Sequence, residues 1–393
     1  MNGTIYMPVG EVCSSISDTY REKKNMVTLI NTSDVLEGRV LNHERVPNSN
    51  LKGQFKKTFQ RDDILYSEIR PQNRRFAYVD FSPIDYIAST KLMVIRAKKD
   101  VVSPKYLYYF LKNSSTVAEL QLLAETRSGT FPQITFSEVA NLTIPVPSLA
   151  VQEVIVQTMQ CLEDKITCNE QINDNLEQQA QSYFQELFVD NADPEWAIGT
   201  ISDIGTVVGG STPSKAKPEY YTESGIAWIT PKDLSINKSK FVSHGENDIT
   251  ELGLKNSSAA IMPEGTVLFS SRAPIGYIAI AAGEVTTNQG FKSVVPKPEI
   301  GTPFVYFFLK NTLPVIEGMA SGSTFKEVSG STMKNVPAVI PDAETLAKFS
   351  DFCAPIFAQQ RILEEQNQSL ATLRDNLLPK LMSGEIGVSA VQL

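Results

Sequence analysis

The chain repeats itself, and that repeat limits its possible folds more than any other feature of its 393 residues. Residues 229–234 (ITPKDL) answer 30–35 (INTSDV) at an offset of 199. Residues 268–270 (LFS) answer 65–67 (LYS), and an arginine follows each within three residues, Arg272 and Arg70. Residues 306–310 (YFFLK) answer 108–112 (YYFLK) at 198. Ser321-Gly322-Ser323 answers Ser128-Gly129-Thr130 at 193, and 335–341 (NVPAVIP) answers 141–147 (NLTIPVP) at 194. Matches in unbroken order with a slowly drifting offset are what duplication followed by small loop insertions and deletions leaves behind. The chain therefore holds two copies of one domain, and its length gives each copy ample core.

Between the copies lies a stretch, 148–188, that contains neither proline nor glycine. Ile155, Leu162, Leu176 and Tyr183 fall at sevens, and Met159, Ile166, Ala180 and Leu187 lie four residues further along each heptad. That 4-3 alternation puts both seams on one helix face, as a coiled-coil strand requires. About 40 residues at 1.5 Å each span about 60 Å, longer than a strut inside one ordinary domain. Adding 194 to the first seam lands on Phe349, Ile356, Leu363, Leu370 and Leu377; the second maps to Cys353, Gln360, Asn367, Arg374 and Leu381. Two helices of matching length and phase invite pairing. If a rough two-fold axis relates the copies, the helices run antiparallel with the domains at opposite ends, and Asn169 and Asn173 meet Asn367 near the middle, where buried asparagine fixes register. Pro355 is expected to kink or restart the second helix, and Pro379 to end or bend its last turn.

The predicted fold class is α+β. Two pseudo-two-fold-related mixed α/β domains, 1–147 and 191–341, are separated by a coiled coil of two long antiparallel helices, 148–190 and 342–393 with its tail. Strands are predicted over 29–35, 63–67, 76–81, 91–97 and 141–147, and a short helix over 104–112 with proline in its first turn. Ser148 is placed to cap the long helix, and 190–195 (DNADPE) is a polar break suited to a boundary.

A net charge of −8 argues at first sight against a nucleic-acid partner. Its distribution reverses that. Residues 1–147 carry 19 Lys/Arg against 15 Asp/Glu, 148–195 carry one against ten, 196–341 balance at 12 each, and 342–393 hold four against seven. Acidity is concentrated in the helices, and the globular copies are basic to neutral. Glu163, Asp164, Glu170, Asp174 and Glu177 read as a solvated helix face. The longest clean apolar run, 277–282, is too short to span a membrane. Cys13, Cys161, Cys168 and Cys353 show no metal or disulfide spacing, which favours the cytoplasm, and two histidines leave little room for histidine-based metal sites. No phosphate-cradling GxxxxGK, strand-coupled GxGxxG or Ser-His-Asp setting occurs, and the Asn/Asp-Pro-Pro-aromatic tetrapeptide of amino-methyltransferases is missing.

What remains is a set of basic, polar and aromatic loops in both copies. In the first, Lys52, Lys56, Lys57, Arg61, Arg70, Arg74 and Arg75 fall within 24 residues, interleaved with Phe55, Phe59 and Tyr66, and Arg127 and Ser128 mark a later loop. In the second, residues 209–215 form a glycine-rich polar loop holding Thr212, Ser214 and Lys215, followed by Lys217 and Tyr221. Lys232, Arg272, Lys292, Ser323 and Lys326 complete the set. Arginine pairs bidentately with guanine edges, and lysine mainly holds phosphates. A solvated surface is the ordinary reading of any one patch; corresponding loops in two copies make the stronger case for DNA.

These residues resemble the specificity subunit of type I restriction–modification enzymes across nearly the whole chain. The carriers are 209–214 (GGSTPS), 228–234 (WITPKDL), Asn288-Gln289-Gly290-Phe291, Ser321-Gly322-Ser323, 336–341 and the tail 377–385 (LLPKLMSGE). The first copy departs more, with Asn31-Thr32-Ser33 where the second has Thr230-Pro231-Lys232. The resemblance implies that each copy is a target-recognition domain reading one part of a bipartite, interrupted double-stranded DNA site. It implies that the helices set the gap between half-sites and dock two modification subunits. Those subunits would carry S-adenosylmethionine, and restriction–translocase subunits would use ATP and Mg; this chain would bind no cofactor, hold no metal, catalyse nothing and touch no membrane. The alternatives are a coiled-coil-tethered bivalent binding protein for non-nucleic-acid ligands and, less favoured, an enzyme with two pseudo-symmetric sites.

Overall fold

A computed structural model of the chain describes residues 4–22, 24–49, 53–126, 131–322 and 326–388. The chain divides into two compact units, Met1–Ile166 with Ser369–Leu393, and Thr167–Gln368.

In the first unit, Ile5–Pro8 pairs antiparallel with Thr143–Val146, joining the start of the copy to its end. The main sheet runs Cys13–Ile16, Leu92–Ala97, Ile64–Ser67, Phe76–Tyr78, every neighbour antiparallel. Leu92–Ala97 is buried on both faces, and its side chains alternate between two cores. Met93 and Ile95 pack with the helices, while Leu92 and Val94 face a second cluster around Ile30, Val35 and Val79. A smaller sheet orders Val46–Pro47, Met26–Ile30, Tyr86–Ser89, Phe55–Lys57, with Met26–Ile30 parallel to Tyr86–Ser89. The strand expected over 29–35 stops at Ile30. Asn31 and Asp34 close a reciprocal capping box around the 3-10 turn Thr32–Asp34, which diverts the backbone from the ladder.

The second unit has the same plan. Ala197–Thr200 pairs antiparallel with Pro337–Ile340. Its main sheet runs Gly205–Gly209, Lys292–Pro296, Val267–Ser271, Ile275–Ala281, with Phe241–Val242 added at the edge. Val267 and Phe269 face one core, Leu268 the other. In the smaller sheet Ile226–Ile229 runs parallel to Thr286–Thr287, and Thr230 with Asp233 repeats the capping box of Asn31 and Asp34. One helix, Thr302–Gly318, stands where the first unit has two, Pro104–Lys112 and Ser114–Glu125.

The first long helix covers Leu149–Gln185 and continues as a π turn, Glu186–Asp190. The second covers Ala343–Ser383. In the first unit, Ile155, Val156 and Met159 are buried with Leu378, Leu381 and Met382, and Leu162 and Leu377 are half-buried against them. In the second, Leu176, Ala180, Tyr183, Phe184, Leu187 and Phe188 pack with Leu346, Phe349, Cys353, Ile356 and Phe357. Asn169 Nδ2 donates to Asn367 Oδ1 (2.8 Å), Gln360 Nε2 donates to the Asn173 carbonyl (3.1 Å), and Phe184 meets Phe349 (5.8 Å). The partner numbers fall as the first helix advances, so the helices are antiparallel. Leu363 is buried; Ile166 and Leu370 are half-buried.

Three expectations need correction. The second helix is continuous through Pro355 and Pro379. Pro355 is exposed, so the carbonyl it leaves without an amide partner faces water, while Cys353, Ile356 and Phe357 hold the helix from the buried side. The solvated acidic face also loses two members. Glu163 accepts from Tyr109 (2.9 Å) and pairs with Lys112, and Glu177 pairs with Lys240 (2.5 Å) and Lys310. Finally, Phe184 and Phe188 are buried although neither lies on the expected seams.

Candidate nucleic-acid interface

In the second unit the glycine-rich loop leaves the strand Gly205–Gly209 and lies on the turn that follows Thr286–Thr287. The Ser211 amide donates to the Thr287 carbonyl (2.8 Å), and the Thr212 hydroxyl donates to Gln289 Oε1. A Cβ on Gly210 would stand 1.9 Å from the Asn288 carbonyl oxygen, so only glycine permits this approach. Trp228 Nε1 donates to the Ser211 carbonyl (3.0 Å), Tyr221 Oη donates to the Pro213 carbonyl (2.6 Å), and the two rings meet edge-on. Tyr221 thus holds the loop in place. Beyond it, Ser214, Lys215 and Lys217 are exposed, with Lys217 3.5 Å from Glu219.

The same turn reaches the start of the strand Lys292–Pro296. Gly290 accepts from both the amide (2.7 Å) and hydroxyl (3.0 Å) of Ser271, which fixes it beside Arg272. Arg272 and Glu327 form a β-bridge; the guanidinium lies 3.4 Å from the Glu327 carboxylate and Lys292 Nζ lies 3.8 Å from it. Burial lowers the Lys292 ammonium from its ordinary value, with Glu327 opposing and Arg272 reinforcing. Thr212, Gln289, Arg272, Lys292 and Glu327 therefore form one linked cluster, with Lys326 exposed beside it. Lys232 lies outside it: Glu246 takes its ammonium at 2.6 Å and raises its pKa. Ser323 lies outside the described residues.

The first unit does not gather its cation run on one surface. Lys56, Arg61 and Arg70 are exposed, Arg70 with its guanidinium 5.5 Å from the Phe131 ring centroid. Lys57 turns inward, donating to the carbonyls of Thr90 (3.0 Å) and Leu92 (2.8 Å), and burial lowers its pKa. Arg74 binds the Ser114 hydroxyl (2.8 Å), and Arg75 binds the Ser33 carbonyl (3.0 Å). Phe59 and Tyr66 are core residues rather than platforms for bases. Lys52, Arg127 and Ser128 lie outside the described residues.

Sequence reading passed over Lys91, Gln133 and Glu327. Lys91 Nζ lies 3.1 Å from Gln133 Oε1 and 3.3 Å from Glu68 Oε2. Gln133 bridges Ile69 as Glu327 bridges Arg272, and 133 and 327 are separated by 194 residues, the offset of the motifs at 141 and 335. That offset was the available signal.

The same chain is similar to known proteins along most of its length. The sequence model of the family described as "Type I restriction modification DNA specificity domain" matches residues 6–178 and again 194–373. The HindI specificity subunit of Haemophilus influenzae is 29% identical over 435 aligned positions, covering 92% of this chain and 94% of that one. The MjaIX specificity subunit of Methanocaldococcus jannaschii is 39% identical over 194, covering 47% and 45%. Among solved structures, the type I restriction–modification S subunit from M. genitalium has the same fold, with a TM-score of 0.55 at 17% identity, covering 97% of this chain and 96% of its own. Two copies of the matching domain, on the two halves the repeat defines, establish that the chain belongs to the type I restriction–modification DNA specificity family.

Proposed function

We propose that this chain is the non-catalytic DNA-reading subunit of a type I restriction–modification complex. Each unit reads one part of a bipartite, interrupted duplex site, and the long helices set the gap between the parts. Two modification subunits carrying S-adenosylmethionine dock on it, and restriction–translocase subunits bring ATP and Mg. The complex works in the cytoplasm; no helix among the described residues is long and apolar enough to cross a membrane. The observation that carries this reading is one β framework built twice, with exposed Lys215 and Lys217 in the second copy on a loop pinned from beneath and exposed Arg61 and Arg70 on loops of the first. Such loops offer cations to phosphates and polar groups to base edges without refolding.

The test is a mobility shift on duplex DNA across a salt series, using the full-length chain with its modification subunits. Reversing Lys215 and Lys217 to glutamate should weaken binding and flatten the salt dependence by about one unit of slope per lost phosphate contact. Binding that ignores both salt and these substitutions would favour the bivalent non-nucleic-acid binder.

A further inference from the structure

We infer that Glu327 is a specificity-determining residue: it holds Arg272 and Lys292 to its own carboxylate and so withholds them from DNA that lacks the recognised sequence. This rests on the reading that these loops meet DNA. Two cations flank one carboxylate, at 3.4 and 3.8 Å, in a cluster that also contains Gln289 and Thr212. Lys292 reaches the Gln289 carbonyl as well (3.4 Å), and its side chain is only 16% exposed, against 38% for Arg272 and 39% for Glu327. Glu327 can balance only one of the two positive charges; Arg272 is partly accessible, Lys292 is largely covered, and both are already positioned.

A guanidinium fork fits a carboxylate and a phosphate alike. A backbone phosphate arriving here must compete with an acceptor that is already seated. On an arbitrary sequence, phosphate attraction is nearly the whole of the binding energy, so the competition falls hardest there. On the recognised sequence, base contacts hold the duplex in register and can drive the exchange. The carboxylate thus subtracts from the sequence-blind part of the affinity.

The repeat supplies an internal control. At the corresponding place, Gln133 makes the same kind of bridge and binds Lys91 through its amide oxygen (3.1 Å), while the acid near that lysine, Glu68, comes from another position. An amide therefore fits this backbone position, and the charge at 327 is separable from the fold.

The experiment compares the full-length chain with Glu327→Gln on a random-sequence duplex of about 40 bp and on one carrying the methylated target. Salt is varied from about 50 to 200 mM. Glu327→Gln is expected to raise affinity for the random duplex by about three- to tenfold and steepen its salt slope by about one unit, with a smaller change on the target. Unchanged affinity and slope on the random duplex would overturn the inference. So would a loss confined to the target, which would make Glu327 a base-reading acceptor. If Glu327→Gln misfolds, Lys292→Gln is compared with Lys215→Gln in the wild-type background. A withheld lysine predicts the smaller loss of random-duplex affinity, and equal losses overturn the inference. Wild-type chain that shows no salt-dependent binding to any duplex instead defeats the reading on which this rests.

Discussion

Lys240 places a full charge where little water reaches. Its side chain is 7% exposed, and its ammonium lies 3.8 Å from the Phe357 ring centroid, 2.7 Å from Gln360 Oε1 and 2.5 Å from the Glu177 carboxylate. Burial lowers its pKa, and Glu177 opposes that shift. Burial alone raises the Glu177 carboxyl, but Lys240 and Lys310 outweigh it and hold it below the ordinary glutamate value. The Glu177 carboxylate stays ionised at neutral pH because two ammonium groups share it. Removing a single partner leaves a buried charge uncompensated, so Glu177→Gln should destabilise the second unit by about 3 kcal/mol in urea unfolding. Adding Lys240→Met should restore part of that loss. A carboxylate with a depressed folded pKa contributes stability that is complete above its unfolded pKa and fades as pH falls through the folded value. Wild-type stability should therefore drop below the normal glutamate range near pH 4.5, and the Glu177→Gln variant should show a shallower drop there. At this scale the sequence was least legible. Lys57 and Lys215 look alike as letters, yet one caps two carbonyls inside the fold and the other is exposed, because burial is decided by strands far along the chain.

At the scale of elements, heptad spacing found both long helices, but Asn173, expected opposite Asn367, bonds to Gln360. Asn169 and Asn367 do meet, and the Asn169 amide oxygen is left without a protein partner. Two-stranded seam logic hid Phe184 and Phe188. It allows a helix one partner, whereas this helix also packs on the helix Thr302–Gly318, Phe184 against Phe304 and Phe307, and so buries a wider stripe. The same logic overstated Pro355. Proline breaks helices chiefly where its missing amide bond cannot be replaced, and here that bond lies on the wet side. Pro355→Ala should raise the stability of the second unit by less than the ~3 kcal/mol that an interior proline costs, with helical circular dichroism unchanged. A loss of stability on that substitution would mean that the ring itself is needed where it stands.

At the scale of the molecule, the repeat was readable because duplication preserves order and spacing even after side chains diverge. It predicted two copies of one domain, and the two halves share the order of four main-sheet strands and a single parallel strand pair in each smaller sheet, while their edge strands differ. It did not predict which loops touch, because the loops differ most in length and type between the copies. If the helices set the gap between half-sites, one heptad inserted in both should lengthen the spacer of the methylated site by up to about 3 bp. Single-molecule methylation mapping in a host carrying the variant would read this directly, and an unchanged spacer would defeat the ruler.

The first unit is not contiguous in sequence: it joins Met1–Ile166 to Ser369–Leu393, across the whole of Thr167–Gln368. Leu378, Leu381 and Met382 close its core over Ile155, Val156 and Met159, and Gly384, at φ +80°, ends the helix that carries them. On a translating ribosome this inverts the usual sequence of events. The second unit can complete itself as soon as Gln368 has emerged, while the first, although synthesised earlier, must wait with part of its apolar face uncovered until the residues after Ser369 arrive. The half made first is finished last, so a nascent chain has no complete first unit to engage DNA until both copies have been made.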